Sequence, residues 1–319
     1  MNLLFILDPL AKLKPYKDSS VAMMRALAKR GHTIYACEIG ELAVSGNDAK
    51  SEASATARKL AVFDDNARWC GEEAAARMPL AAFDIVMMRK DPPFDMEYVY
   101  ATYVLEIAAL DGVRVFNNPQ SVRDFNEKMA ILHFPQFIAP TLVTRQPAAL
   151  QAFIDEHRDA ILKPLDGMGG TSVFRVRADD PNRNAILEAL NGFGARSVMA
   201  QRFIPDIRDG DKRVLILGGK VVPFALARIP KPGETRGNLA AGGSGVAMPL
   251  TERERDIAET LAAPLWDLGL LIVGLDVIGG FLTEVNVTSP TCFVEIAEQT
   301  GFDVAGLLAD RLEAVVAGK

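Results

Sequence analysis

Near the C-terminal end of the chain, three side chains have the types and spacing to hold a hard divalent cation. Asp276 interrupts the apolar run Ile272-Val273-Gly274-Leu275-Asp276-Val277-Ile278. Glu284 and Asn286 alternate with apolar residues in Leu282-Thr283-Glu284-Val285-Asn286-Val287. A strand turns successive side chains to opposite faces, so Glu284 and Asn286 share one. Carboxylate and amide oxygens suit Mg²⁺ bridging phosphates better than they suit zinc. A plain half-exposed polar face is the bland alternative, but Asp and Asn are poor strand formers. The reading carries a register condition. With a strict two-residue turn at Gly279-Gly280 and a regular ladder, Asp276 would pair with Thr283 and Glu284 with Leu275, on opposite faces. A shared site therefore predicts a three-residue loop or a bulge, which the glycines permit.

A second segment looks built for phosphate. Lys163-Pro164-Leu165-Asp166-Gly167-Met168-Gly169-Gly170 lies between two strand patterns. Its glycines free backbone N–H groups to wrap phosphate oxygens and allow the positive φ that such a nest needs. A flexible turn is the alternative. Lys163 weighs against it, because it ends the apolar run Ala160-Ile161-Leu162 and a buried ammonium needs an anion. Lys128, Arg213 and Arg228 could join Lys163 around one polyanion, although Lys128 alone reads as a surface lysine. Neither G-x-x-x-x-G-K-[ST] nor the three-glycine dinucleotide fingerprint occurs. From Ile229 to Gly245 the chain is glycine-rich and poor in core residues. It reads as a lid excluding water from a labile intermediate, or as a surface loop.

These residues need scaffolding, and the patterns supply it. Leu3–Leu7, Thr33–Cys37, Ile85–Met88 and Val113–Phe116 read as strands. Helices are expected after Asp18-Ser19-Ser20, with the stripe Val21, Met24, Leu27 and Ala28 closed by Gly31, and from Asp95 to Leu110. Such alternation implies a doubly wound sheet. Val44 to Arg58 reads as a hairpin or loop excursion. A helix over Ser121–His133 leads into a second unit. Its expected strands are Thr141–Thr144, Ile161–Lys163, Ser172–Val176 and Val198–Arg202, with helices near Ala148–His157 and Asn184–Asn191. The last third carries strands at Arg213–Leu217, Val221–Arg228, Ile272–Ile278 and Phe281–Val287, and a helix over Thr251–Leu268.

Composition sets the outer bounds. A chain of 319 residues exceeds one ordinary core, so two or three packed units are expected. A net charge of −6 argues against a nucleic-acid scaffold. Leu3–Leu7 is too short for a signal segment or a membrane span. Cys37, Cys70 and Cys292 lie far apart, which suits reduced thiols in a cytoplasmic protein, and the three scattered histidines give zinc little support.

Taken together, the motifs resemble the ATP-grasp enzymes and, within them, the bacterial glutathione synthetases. Lys-Pro-x-x-Gly at Lys163 and Glu-x-Asn at Glu284 carry the broad likeness. The narrower one rests on Lys17-Asp18-Ser19-Ser20, Arg89-Lys90-Asp91-Pro92-Pro93-Phe94, Asn118-Pro119-Gln120-Ser121 with Asn126-Glu127-Lys128, Asp209 to Arg213, Arg236-Gly237-Asn238-Leu239-Ala240-Ala241-Gly242-Gly243, and Asn286-Val287-Thr288-Ser289-Pro290. It implies an α/β fold with an N-terminal doubly wound sheet (1–122) and an ATP-grasp unit (123–319). That unit divides into a central subdomain (123–202) and a C-terminal subdomain (203–319), both α+β, gripping the nucleotide. It also implies a carboxylate–amine ligase that joins γ-glutamylcysteine to glycine through an acylphosphate, releasing ADP and phosphate. The cofactors would be ATP and Mg²⁺, with Mn²⁺ as a substitute. The protein would be a cytoplasmic homo-oligomer, a tetramer, with no nucleic-acid or membrane partner.

Residue by residue, the resemblance gives ATP to Lys128, Lys163, Gly167, Met168, Gly169 and Gly170. Gln201, Arg202, Phe203 and Ile204 would read adenine, and Asp211 the ribose. The metal would fall to Asp276, Glu284 and Asn286. Arg89, Arg228, Ser289, Pro290 and Thr291 would bind the peptide substrate, Arg213 and Arg228 would be catalytic, and Arg236, Gly237, Asn238, Gly242 and Gly243 would form the lid. Arg202 and Ser244 depart from the residues usual there, often Asn and Arg. Rival readings are a different ATP-grasp ligase, such as one joining amino acids or extending a protein tail, and a nucleotide-binding scaffold without turnover. A dehydrogenase is the weakest rival, because its glycine fingerprint is missing.

Overall fold

The computed structural model describes residues 1–48, 50–231, 233–234, 237 and 244–318. The strands β1 (Asn2–Leu7), β2 (Thr33–Glu38), β3 (Leu42–Gly46), β4 (Ser51–Val62), β5 (Cys70–Glu72), β6 (Ala76–Pro79), β7 (Ile85–Met88) and β8 (Arg114–Phe116) form one sheet. Its order is β3-β4-β2-β1-β7-β8, with β5 and β6 paired to β4. β1, β2, β7 and β8 are parallel, and the β1 run Leu3–Leu7 is buried on both faces, as a parallel core requires. β3 and β4 form the hairpin expected in the Val44–Arg58 stretch and extend the sheet antiparallel. Buried Ala53, Ala55 and Ala57 give β4 its period of two, a weak signal when the apolar residue is alanine.

The flanking helices start on side-chain caps. Asp18 accepts from the Val21 N–H at 2.9 Å to open α1 (Ser19–Lys29), and Asp95 accepts from the Tyr98 N–H at 3.0 Å to open α2 (Met96–Leu110).

No continuous helix spans Ser121–His133. α3 (Pro119–Asp124) ends early, and Met129–His133 is a separate 3-10 turn. Asn126 causes the break. Its side-chain oxygen accepts from the N–H groups of Lys128 and Met129 at 3.1 and 3.0 Å, and its amide donates to Leu165 O at 3.0 Å. Local caps of this kind compete with helical hydrogen bonds. Lys128 therefore sits at a chain break facing the glycine loop.

A second sheet contains β9 (Thr141–Thr144), β10 (Asp159–Pro164), β11 (Phe174–Arg177) and β12 (Val198–Arg202), in the antiparallel order β11-β10-β12-β9. α4 (Pro147–His157) and α5 (Arg183–Asn191) close its core, packing Leu150, Ile154 and Leu187 on Ala160, Leu162 and Ala200. The third sheet contains β13 (Asp211–Leu217), β14 (Lys220–Ile229), β15 (Ser244–Pro249), β16 (Ile272–Ile278) and β17 (Phe281–Asn286). It is antiparallel in the order β15-β14-β13-β16-β17. α6 (Glu252–Asp267) covers it, opened by a reciprocal cap between Thr251 and Glu254.

Sequence patterns did not pick out β15, α7 (Phe293–Thr300) or α8 (Val304–Val316). α8 packs against α1, with Arg30 at the end of α1 bonded to Asp310 and Glu313 at 2.6 and 3.0 Å. Asn117 ties the first sheet to the third one. Its amide donates to Ile272 O and Val287 O at 2.8 and 2.6 Å and accepts from the Ile272 N–H at 2.9 Å. The first sheet is thereby held beside the strands that carry the acidic cluster.

Candidate active site

Strand register alone gathers most of the charged cluster. Arg228 pairs with Asp211 across β14 and β13, Arg213 pairs with Asp276 across β13 and β16, and Asp276 pairs with Glu284 across β16 and β17. Asp211 and Arg213 are two residues apart, as are Glu284 and Asn286, so all six project from one face of the third sheet. Gly274 makes room for them. A Cβ there would stand 2.9 Å from Arg213 Cδ, so a side chain would push the guanidinium off Asp276.

The predicted register shift is present. Ile278 pairs with Phe281 through a two-residue glycine turn, and the ladder then slips so that Asp276 meets Glu284. Thr283 is the extra residue of this bulge. Its hydroxyl donates to Asp276 O at 3.0 Å, and its own carbonyl accepts from Lys163 Nζ at 3.3 Å. The bulge thus aligns two carboxylates and aims a backbone oxygen at the incoming lysine.

The lysines enter from the opposite wall. Lys163, on β10, lies 3.7 Å from Glu284 Oε1, and Lys128 lies 3.8 Å from the same atom. Lys128 also donates to Gly167 O at 2.6 Å and bonds Glu127, which ties the glycine loop to the chain break. Gly169 and Gly170 take φ of 63° and 79°, the left-handed conformation expected for a phosphate loop. The walls enclose a cleft of about 340 Å³ between the second and third sheets. Lys128, Lys163, Gly167 to Gly170, Gln201 to Ile204, Asp211, Arg213, Arg228, the three oxygen-ligand residues and Ser289 to Thr291 all line it. Lys163 and Glu284 face a common space.

Burial and opposite charge compete at each titratable group of the cleft. Burial lowers the Lys163 ammonium, with Glu284 opposing it. Burial acts the same way on Lys128, but Glu284 and Glu127 outweigh it and raise that group. Burial would raise Asp276, yet Arg213 at 2.5 Å and Arg228 at 2.9 Å hold its carboxyl well below the usual range. Asp211 is pushed up to about 6 by burial despite its bond to Arg228, and among the described residues its buried Oδ1 has no hydrogen-bond partner.

The donor set fits a hard divalent ion. Asp276 and Glu284 are juxtaposed, and Asn286 spends its amide N–H on Gly274 O at 3.3 Å, which leaves its carbonyl for coordination. Among the described residues no three His, Cys, Asp or Glu side chains gather as a metal group. Two carboxylates and an amide leave further positions for phosphate oxygens.

The remaining expected residues divide by location. Arg89 is buried behind the wall, donating to Pro290 O at 2.8 Å and Ser20 Oγ at 3.1 Å, and its Nη1 has no hydrogen-bond partner among the described residues. Along Gln201–Ile204, the N–H groups of Arg202 and Phe203 are spent on Pro140 O and Asp159 O, and Ile204 N–H makes no such bond among the described residues. Arg202 itself is exposed, with its guanidinium 5.7 Å from the centre of the Phe281 ring. Of the lid residues, Gly237 lines the cleft so closely that a Cβ would strike Arg228 O. Arg236, Asn238, Gly242 and Gly243 lie outside the described residues.

Comparison with known proteins decides the family. The model for the prokaryotic glutathione synthetase N-terminal domain matches residues 1–123, and that for its ATP-grasp domain matches residues 127–301. The chain belongs to the prokaryotic glutathione synthetase family. A glutathione synthetase of Ralstonia nicotianae is 56% identical over 98% of this chain and 95% of its own length. One from Neisseria meningitidis serogroup B is also 56% identical, over 98% of each chain. Among solved structures, the D-cycloserine synthetase DcsG superposes with a TM-score of 0.68 at 17% identity, covering 98% of this chain and 99% of its own. The ATP-grasp ligase PsnB gives 0.62 at 17% identity, covering 99% and 98%, and these two likenesses concern the fold alone.

As a glutathione synthetase family member, the chain is an ATP-dependent ligase that works with a divalent metal on small molecules. No helix among the described residues is long and apolar enough to cross a membrane. Several residues lining this cleft escaped sequence reasoning: Glu127, Thr283, Asp91, Pro92, Thr288 and Cys292. Glu127 is raised by burial and by Glu284. Asp91 accepts from Ser289 Oγ at 2.6 Å and brings the first sheet's loop to the cleft. Its place inside the Arg89–Phe94 run was the one signal available.

Proposed function

We propose that the cleft activates the cysteinyl carboxylate of γ-glutamylcysteine with ATP and then joins it to glycine, with Mg²⁺ as the ion and Mn²⁺ as its substitute. The observation that carries this reading is the convergence of Lys128, Lys163, Arg213 and Arg228 on one cleft that also holds Asp276, Glu284 and Asn286. Phosphoryl transfer gives a protein little covalent work. Positioning the triphosphate and spreading its charge is most of the catalysis.

In this reading Lys163 and Lys128 grip the phosphates, and the N–H groups of the Gly167–Gly170 loop cover them. The open Ile204 N–H, with the neighbouring Gln201–Phe203 backbone, reads the adenine edge, and the orphan Asp211 Oδ1 accepts from a ribose hydroxyl. Asp276, Glu284 and Asn286 would hold the ion, which supplies positive charge across the phosphates when bound. Arg213 and Arg228, now clasped on Asp276, are placed to steady the carboxylate that takes the γ-phosphoryl group. Arg89, with a free Nη1, and Ser289, Pro290 and Thr291 form the peptide side. The amine of glycine then attacks the acylphosphate and phosphate leaves. Gly237, which lines the cleft, would help keep water from that intermediate.

Division of the chain after residue 122, and again near 202, follows the three sheets and is part of the same proposal. So are a cytoplasmic setting, consistent with three unpaired thiols, and assembly as a homotetramer.

The test is ADP formation with γ-glutamylcysteine, with and without glycine, over a Mg²⁺ titration. Sustained ADP release that needs all three components is expected. Equal release with other acids and amines would reassign the substrate, and tight ATP binding without phosphate release would remove the enzyme reading.

A further inference from the structure

Most of the carboxylates that line the cleft already face a cation. Glu127 bonds Lys128, Asp211 bonds Arg228, and Asp276 lies between Arg213 and Arg228. Glu284 stands near both Lys128 and Lys163. Asp91 is the exception: it lines the cleft, is exposed, and joins no ion pair among the described residues. Its Oδ1 accepts from Ser289 Oγ at 2.6 Å, while its Oδ2 has no hydrogen-bond partner among the described residues.

The loop that carries Asp91 is ill-equipped to hold that oxygen in place by itself. Pro92 and Pro93 follow it and bring no N–H, so the segment has few donors with which to fold on itself. Asp8, the residue after β1, supplies the anchor. Its Oδ2 accepts from the Asp91 N–H at 3.0 Å. Its Oδ1 lies 2.9 Å from Lys90 Nζ, which in turn donates to Asp91 O at 2.5 Å. Both backbone groups of Asp91 are thus tied to one carboxylate, directly or through Lys90. Asp8 does not line the cleft, and borders a separate hollow with Cys37, Glu38 and Arg58. Its route to the cleft runs through Asp91.

We propose that Asp91 Oδ2 takes the ammonium of an amino-acid substrate, and that Asp8 is the positioning residue that holds it there. This rests on the ligase reading and adds to it. Glycine and the glutamyl end of γ-glutamylcysteine each bring an ammonium, for which the cleft's other carboxylates are committed elsewhere. Charge-assisted bonds of this kind are strong and directional, so the acceptor must be fixed before the ligand arrives. Through Oδ1 the same carboxylate keeps Ser289, already on the peptide side, next to the ammonium.

Steady-state kinetics on the full chain test it, with ligand-free melting temperatures as the folding control. Asp91→Asn keeps an acceptor for Ser289 and the N–H for Asp8 but removes the charge. It should raise KM about tenfold or more for an amino-acid substrate and leave KM for ATP unchanged. A rise for glycine assigns the ammonium to glycine. A rise for γ-glutamylcysteine assigns it to the glutamyl end, and N-acetyl-γ-glutamylcysteine should then show the same KM with wild type and variant. Asp8→Ala should raise the KM that Asp91→Asn raises and no other. Asp8→Asn, which can still accept from the Asp91 N–H, should recover most of that loss. Asp8→Ala combined with Asp91→Asn should be no worse than Asp91→Asn alone. A wild type that releases ADP only with another acid and amine would fail the ligase reading's substrates, and the same comparison is then made with those. Thermal protection by each substrate gives a readout free of turnover. Unchanged KM and protection for both substrates in Asp91→Asn, equal rises for ATP and both substrates in Asp8→Ala, or additive losses in the pair would overturn the proposal.

Discussion

Asp276 and Glu284 stand directly opposite each other on β16 and β17, in a place that a regular hairpin would give to Thr283. The bulge costs a ladder position and gains a shared face, with Arg213 and Arg228 on one flank and Lys128 and Lys163 on the other. Opposite charges alternate across this face, so each buried ion on it has a partner of the other sign.

Glu284→Gln keeps the shape and removes the charge that faces both lysines. Turnover should fall by about 100-fold or more, the scale seen when one group serving a transition state is removed. The urea midpoint should move far less, because the side chain is partly exposed. ADP release across a metal titration measures the first effect. Unchanged turnover at limiting metal would exclude Glu284 from holding the ion.

Lys163→Met separates stability from function in the other direction. The ammonium is buried at a desolvation cost, and Glu284, which is partly exposed, keeps Lys128 at 3.8 Å when Lys163 is replaced, so an apolar side chain of similar length should leave the ligand-free melting temperature unchanged or raise it. ATP protection should vanish. A ligand at a hundred times its Kd normally adds about 2.7 kcal/mol. Thermal melts with and without ATP decide the matter, and full ATP protection in the variant would contradict the role.

Gly274→Ala probes the space under Arg213. A new Cβ would meet Arg213 Cδ at 2.9 Å and Pro290 Cβ at 3.1 Å. Overpacking of this order costs about 1–3 kcal/mol. The kcat should drop at least about tenfold, because a small displacement of a positioning group is costly. Equal kcat in steady-state assays would mean that the guanidinium can move without consequence.

Cys37 gives a pH signature away from the cleft. Burial first, with help from Glu41, pushes its thiol from 9.0 up to about 12. The folded chain therefore keeps a proton that the unfolded chain releases between those values, and stability falls as pH rises through that window. The slope attributable to this one group is at most about 1.4 kcal/mol per pH unit. Urea titrations from pH 8 to 10.5 should show a shallower decline for Cys37→Ala than for the wild type. Iodoacetamide at pH 8 should modify half-buried Cys70 before Cys37 or Cys292 in the native protein.

The elements legible in sequence were those with one dominant pattern. β1 and β16 are apolar runs bounded by turns, and α1, α2 and α6 announce themselves by Asp18, Asp95 and Thr251 at their first turns. The helix expected over Ser121–His133 failed because one side chain, Asn126, offered the backbone better bonds than the next helical turn. β15 was hidden at the end of a glycine-rich stretch and exists because β14 offers it an edge.

Residue chemistry and alternation determined that Asp276, Glu284 and Asn286 could be ligands, that Lys163 needed an anion, and that a regular register would not bring the acids together. Those are local properties, set by strand period and by the cost of burying charge. Tertiary structure decided the rest: Arg213 and Arg228 both on Asp276, Lys128 and Lys163 sharing Glu284, and Arg89 buried behind Pro290. Such meetings join residues dozens to hundreds of positions apart. They depend on how three sheets are oriented, which the spacing of side chains within a single strand does not encode.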